Sequence, residues 1–255
     1  MPVNAGVRPL KLLSRVIMDD EYIRPPGTYY DILAHPSGED EAIEVSLVQD
    51  HRFVFFYWMK WVNKLCPESK PPVLVTIDWH QDLSAPEKDE CAELNKIDKT
   101  NYKFLSHYCW EGLNPLNDGH ILSAAYLNII GDIYVLCKQG DEESDEYIDS
   151  FGNIHKIICF EDVNDLVSSL KADNVGEIIL DIDLDYFTES SDSCGGGENL
   201  ELVSDEVVES IISPSSELMQ WAFPRIIGGC SKLCVSLVLQ RDVFLQSSVK
   251  MYGQL

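Results

Sequence analysis

Two short runs of this sequence combine the residue types of a metal centre with the spacing of an extended chain. Val73-Leu74-Val75-Thr76-Ile77 is followed by Asp78-Trp79-His80-Gln81-Asp82, and Ile178-Ile179-Leu180 is followed by Asp181-Ile182-Asp183-Leu184-Asp185. An extended backbone sends alternate residues to one side, so Asp78, His80 and Asp82 converge if the chain stays extended, as do Asp181, Asp183 and Asp185. Six such groups, five of them carboxylates, cannot pack together without counter-charge, because unpaired buried carboxylates are costly or take up protons. Divalent cations supply that charge. A carboxylate and imidazole set without thiolate favours Mn²⁺, Fe²⁺, Co²⁺ or Zn²⁺ over soft ions, and so many carboxylates point to two ions. A cap-rich turn or an acidic edge strand would explain either motif alone. Two motifs, each directly after a buried-looking strand, favour the metal reading.

Two further histidines suit the same crevice. His51, in Gln49-Asp50-His51, follows an apolar run and opens a helical segment, where a ligand can project toward the strand ends. His120, in Asn117-Asp118-Gly119-His120, begins another helical segment after a turn, a setting for a poised acid or base. His35, His107 and His155 have no such setting and carry no expected role.

The elements that must position these groups follow from the apolar patterning. β-branched apolar runs predict strands over Ala42 to Val48, Val73 to Asp78, Ile133 to Cys137, Ile154 to Phe160, Glu177 to Asp183 and Lys232 to Leu239. Helical spacing predicts helices over Phe53 to Leu65, Ile121 to Ile130, Val163 to Leu170, Ser204 to Ile212 and Ser216 to Phe223. Most of the strands are apolar enough to be buried on both faces, as in a mainly parallel sheet of a layered α/β domain. In such sheets ligands bind outside the carboxyl ends of the strands, where both acidic motifs fall. Ala85 to Asn101 and Glu189 to Asn199 read as long loops. One domain over residues 1–255 is expected, with the segment up to Glu41 as a small cap or edge hairpin.

The 255-residue chain is 45% hydrophobic, enough for a full core. With 19 Lys and Arg against 43 Asp and Glu, its net charge is −24. Such a surface repels a phosphate backbone and draws cationic substrates or metal ions, although many proteins are acidic for solubility alone, and no nucleic-acid partner is expected. No apolar run reaches the roughly 18 residues of a membrane span, and Met1 to Arg8 lack a signal-peptide core. A cytoplasmic protein without a membrane partner is expected. The eight cysteines are scattered, without a CxxC pair; Cys230 and Cys234 are too few ligands for a zinc site.

The order of motifs, from Asp50-His51 through Asp78-x-His80-x-Asp82 and His120 to Asp183-x-Asp185, resembles the ureohydrolase (arginase) superfamily. Within it the chain looks most like the peptide arginases, which turn arginine side chains of ribosomally made precursor peptides into ornithine and urea. That resemblance covers Val45 to the last predicted strand and implies the three-layer arginase/deacetylase-like α/β fold. It implies two Mn²⁺ per chain, one held by His51, Asp78, Asp82 and Asp183 and the other by Asp78, His80, Asp183 and Asp185. Asp82 would orient the nucleophile. His120 would pass protons to the leaving amine. Asp181 stands where the family has a serine, and Asp242, in Gln240-Arg241-Asp242, is the nearest match to the guanidinium-binding carboxylate.

The departures bear on the substrate. The glycines preceding the family's first Asp-His are absent, and Tyr186-Phe187 follows Asp185 in place of a proline. Free-arginine enzymes hold the amino acid with a polar segment after the first metal motif, where this chain has Leu83-Ser84-Ala85-Pro86-Glu87-Lys88-Asp89-Glu90. Loss of that clamp suits an arginine embedded in a precursor peptide, which an acidic surface would attract. The alternatives are a small-molecule ureohydrolase such as arginase or agmatinase, a deacetylase of the same fold, a two-metal phosphoesterase, and a metal-binding protein without catalysis. The residues leave the oligomeric state open.

Overall fold

A computed structural model describes residues 23–34, 42–139, 144–189, 201–226 and 232–238 of the chain. Asp242 and its neighbours Gln240 and Arg241, His35, Cys230, residues 1–22 of the expected cap and 190–199 of the second expected loop lie outside the described residues. The main sheet contains β1 (Tyr29–Ala34), β2 (Ala42–Val48), β3 (Val73–Asp78), β4 (Ile133–Cys137), β5 (Ser144–Ile148), β6 (Ile154–Phe160), β7 (Ile178–Asp183) and β10 (Lys232–Val238). Its order is β1-β2-β10-β7-β3-β4-β6-β5. All pairs from β2 to β6 are parallel, and β1 and β5 close the two edges antiparallel. β8 (Thr188–Glu189) and β9 (Glu201–Leu202) form a separate short ribbon.

The central strands are Ile-, Leu- and Val-rich because both faces are covered: all of β4 and β7 is buried, and β3 from its second residue on. β6, near an edge, instead alternates exposed with buried positions. The helices are α1 (Val54–Val62), α2 (Lys88–Leu94), α3 (Tyr102–Glu111), α4 (His120–Tyr126), α5 (Val163–Ala172), α6 (Asp205–Ile212) and α7 (Glu217–Ala222). α1 packs with α3 and α4, and α7 packs with α5 and α6, so helices flank the sheet in a three-layer α/β arrangement. α1 is apolar apart from Lys60, and Val54 to Trp61 are all buried, as expected of a helix enclosed between a sheet and other helices. Among the described residues no helix is long and apolar enough to cross a membrane.

Three elements depart from the sequence expectation. The first expected loop contains α2, whose start is fixed by a capping box: the Glu87 backbone N–H donates to Glu90 at 2.7 Å. Only Leu94 of α2 is buried, so the helix carries no apolar stripe to read. α3 exposes Phe104 and Trp110, which blurs its spacing, and β5 is an acidic edge strand with little buried surface.

The topology opens a crevice between β3 and β7. From β3 the chain moves on to β4 and β6 on one side, and from β7 it moves on to β10 on the other. Connections that diverge from adjacent parallel strands leave a gap above their carboxyl ends. Ile77 is paired with Ile182, so Asp78 and Asp183 finish these strands side by side.

Candidate metal centre

Asp78 and Asp183 are almost wholly buried, fixed by strands held on both sides. A 3-10 turn, His51–Phe53, links β2 to α1 and carries His51 across to them. The Nδ1 atom of His51 lies 3.3 Å from Asp78 Oδ2, 2.8 Å from Asp82 Oδ2 and 3.6 Å from Asp183 Oδ2. Asp82 does not arrive there along an extended chain. Its φ is 50°, a left-handed conformation that aspartate tolerates better than most residues, and the chain turns there. Asp185 sits in a second 3-10 turn, Leu184–Phe187, where its backbone N–H donates to Asp183 Oδ1 at 3.1 Å. His80 Nδ1 is 3.5 Å from Asp185 Oδ2 and 3.8 Å from Asp78 Oδ1, and the His80 side chain is 38% exposed, so this end of the cluster meets solvent.

Three sets of ligand atoms each fall within 4.8 Å of one another: His51, Asp78 and Asp183; Asp78, His80 and Asp185; and His51, Asp82 and His120. Each can hold a metal ion. Two observations fit a cation there. Asp78 Oδ2 is buried and accepts no hydrogen bond from the described residues, an expensive state for a carboxylate oxygen without an ion. The donors are also all oxygen and imidazole nitrogen, the set suited to Mn²⁺ and its neighbours.

The electrostatics agree. Burial, reinforced by the neighbouring carboxylates, holds the Asp78 carboxyl well above its ordinary range and raises Asp183 to about 7. Burial pushes the His51 imidazole down, but its hydrogen bonds to Asp181 and Asp82 outweigh that and raise it well above its usual value. Asp82 feels the same burial, yet the His51 hydrogen bond leaves its carboxyl below the usual range. His80 is raised by its hydrogen bond to Asp185. The cluster therefore retains protons to relieve its own repulsion, which is the work that bound cations would do.

His120, the first residue of α4, is buried beside these groups, with its ring 5.5 Å from that of Trp58 in α1. Its Nδ1 is 3.1 Å from the Asn117 carbonyl oxygen, which can only accept, so Nδ1 carries the proton. Nε2 is left with a lone pair, buried and without a hydrogen-bond partner among the described residues. Burial, with repulsion from His51, drops the pKa to about 3, so the ring is neutral in the ion-free protein.

The loops around the centre are tied to one another. Ser84, just after the first motif, donates its hydroxyl to Asp118 Oδ2 at 2.8 Å, and Asp118 Oδ1 accepts from Asn114 Nδ2 at 2.9 Å. On the other flank, Lys138 Nζ donates to the Thr188 carbonyl at 2.8 Å and lies 4.9 Å from the Trp79 ring centroid and 5.0 Å from that of Tyr186. The Trp79 backbone N–H also donates to Asp185 Oδ1 at 3.1 Å. Lys138 and Ser84 were not anticipated from the sequence, because neither has a motif; strand order and loop return bring them here.

All six expected metal ligands, His51, Asp78, His80, Asp82, Asp183 and Asp185, come together, and His120 joins them. Asp181 behaves differently from its alternate-residue partners: it is fully buried against the far nitrogen of His51, Nε2, at 2.9 Å. The remaining described histidines lie in other settings, His107 beside Glu111 and His155 beside Asp149. Cys66, Cys91, Cys109, Cys137 and Cys159 are free thiols. Comparison with protein families and with curated proteins finds no match to this sequence.

Proposed function

We propose that the chain is a binuclear metal hydrolase acting on the guanidinium of arginine side chains in a precursor peptide, giving ornithine and urea. The observation that carries this reading is the sharing of Asp78 between two ligand sets, one with His51 and Asp183 and the other with His80 and Asp185. A bridging carboxylate flanked by two partly separate donor sets is the arrangement two neighbouring ions require. His51, Asp78, Asp82 and Asp183 would hold one Mn²⁺; Asp78, His80, Asp183 and Asp185 would hold the other. Bound there, the pair would supply Lewis acidity and a water-derived nucleophile at neutral pH.

The chain's own groups provide the rest. Asp82 has the depressed pKa of a carboxylate that stays ionised, and it accepts a hydrogen bond from the attacking water to orient it. His120 holds its proton on Nδ1 and leaves Nε2 free beside the cluster, where it would relay a proton to the leaving amine. Burial keeps bulk water from competing at that atom. The guanidinium partner assigned by resemblance is Asp242.

A peptide is favoured over free arginine because the segment in the amino-acid clamp position is otherwise engaged. Ser84 is bonded to Asp118, and Glu87 and Glu90 cap α2. The net charge of −24 suits a basic peptide. The test is to load the purified chain with Mn²⁺ and measure urea release from free arginine and from an arginine peptide in parallel, reading a mass loss of about 42 Da per arginine for this reaction class. Urea from the peptide alone is expected. Urea from free arginine would indicate a small-molecule ureohydrolase, and urea from neither would overturn the proposal.

A further inference from the structure

Resting on the reading of the centre as a metal site, we infer that Asp181 is its positioning carboxylate, acting through His51 to fix which imidazole nitrogen faces the ions. Asp181 lies in β7, level with Thr76 of β3, and is completely buried. One oxygen, Oδ2, is 2.9 Å from His51 Nε2 and accepts from the Thr76 hydroxyl at 3.4 Å. The other, Oδ1, is buried without a hydrogen-bond partner among the described residues. Asp181 is therefore not one more ligand on the same point as Asp78, Asp82 and Asp183. Those three face Nδ1, while Asp181 stands behind the ring at Nε2.

A neutral imidazole carries one proton, on either nitrogen. With Asp181 Oδ2 2.9 Å behind the ring, that proton stays on Nε2, and Nδ1, which faces Asp78, Asp82 and Asp183, would give its lone pair to an ion bound among them. A hydroxyl in the same place could accept or donate and would leave the choice open. A partner that holds the far nitrogen of a metal-bound imidazole raises the basicity of the ligating nitrogen, and outer partners of this kind tune ion affinity by about tenfold to a hundredfold. Alternate-residue spacing on β7 produces both kinds of aspartate: Asp183 at the strand end reaches the ions, and Asp181, two residues deeper, reaches the back of their ligand.

The test uses the full chain, its Asp181→Asn variant, which keeps the shape and an accepting oxygen, and Asp181→Ala. Long-range ¹H–¹⁵N spectra of the imidazoles in Zn²⁺-loaded protein identify the His51 tautomer, and calorimetric titration with Mn²⁺ reads the affinity. Wild-type His51 is expected protonated on Nε2. Asp181→Asn is expected to keep that tautomer and bind the His51-held ion about tenfold more weakly, and Asp181→Ala to lose both tautomer and a further share of affinity. Protonation of wild-type His51 on Nδ1 in the loaded protein, a result that needs no variant, would overturn the inference. So would affinities within twofold of wild type in both variants. A wild-type chain that takes up no divalent ion would overturn the reading of the site itself, and the two failures are told apart by whether ions bind.

Discussion

The rings of His51 and His120 lie 4.2 Å apart, centroid to centroid, and are tilted by 38°. Two imidazoles this close take opposite roles because their partners differ. His51 is surrounded by carboxylates at both nitrogens, whereas His120 meets a carbonyl at Nδ1 and, among the described residues, no hydrogen-bond partner at Nε2.

His120→Ala is accordingly expected to keep the bound metal and to lose turnover by about a hundredfold or more, the usual contribution of a positioned acid or base. Metal content by elemental analysis beside kcat separates the two effects. Loss of metal together with activity would make His120 a ligand, completing the set it forms with His51 and Asp82.

Asp78→Ala and Asp183→Ala are expected to remove metal and activity together, since Asp78 belongs to two of the ligand sets and Asp183 is proposed to serve both ions beside it. Retention of two ions per chain by either variant would rule out the bridging role. Asp185→Ala is expected to weaken only the ion shared with His80, which leaves a chain that still binds one.

The ion-free protein is expected to lose stability as pH rises above about 6.5. His51, Asp78 and Asp183 have raised pKa values in the folded state, so the stability they contribute is complete below their unfolded values and lost as pH climbs through the folded ones. His120, depressed to about 3, works the other way, but only below the ordinary histidine range. Above that range nothing from His120 opposes the loss. The melting temperature of metal-stripped protein should therefore fall as pH rises above about 6.5, and Mn²⁺ should abolish the fall by binding the deprotonated ligands. A melting temperature that rises with pH above about 6.5 in stripped protein would contradict these assignments.

Much of the fold was legible because its central strands are buried on both faces, which leaves continuous apolar runs such as Ile178 to Leu180. The elements that escaped, α2, α3 and β5, are those whose surface is mostly solvated, so no period marks them. The ligands were legible because alternation along a strand end fixes the side on which Asp78 and Asp183 emerge. Alternation gives side but not depth, and so it could not separate Asp181 from Asp183. It also could not foresee the left-handed turn at Asp82, which brings that carboxylate to His51 by bending the chain.

Lys138→Met keeps most of the side-chain stem and removes the charge between Trp79 and Tyr186 and the bond to the Thr188 carbonyl. A loss of about 1–2 kcal/mol in denaturant unfolding is expected from these contacts. Weaker binding of the ion held by His80 and Asp185 should accompany it, because Trp79 and Tyr186 flank those ligands in the chain. Unchanged stability and unchanged affinity would show that the lysine holds nothing in place.

The most direct measurement is crystallographic: crystals grown with Mn²⁺, with data collected at the manganese absorption edge. Two anomalous peaks are expected per chain, one among His51, Asp82 and Asp183 and the other between His80 and Asp185, with the Asp78 carboxylate between them. No peak at the carboxyl ends of β3 and β7, or a single peak that Asp78 does not touch, would contradict a binuclear centre.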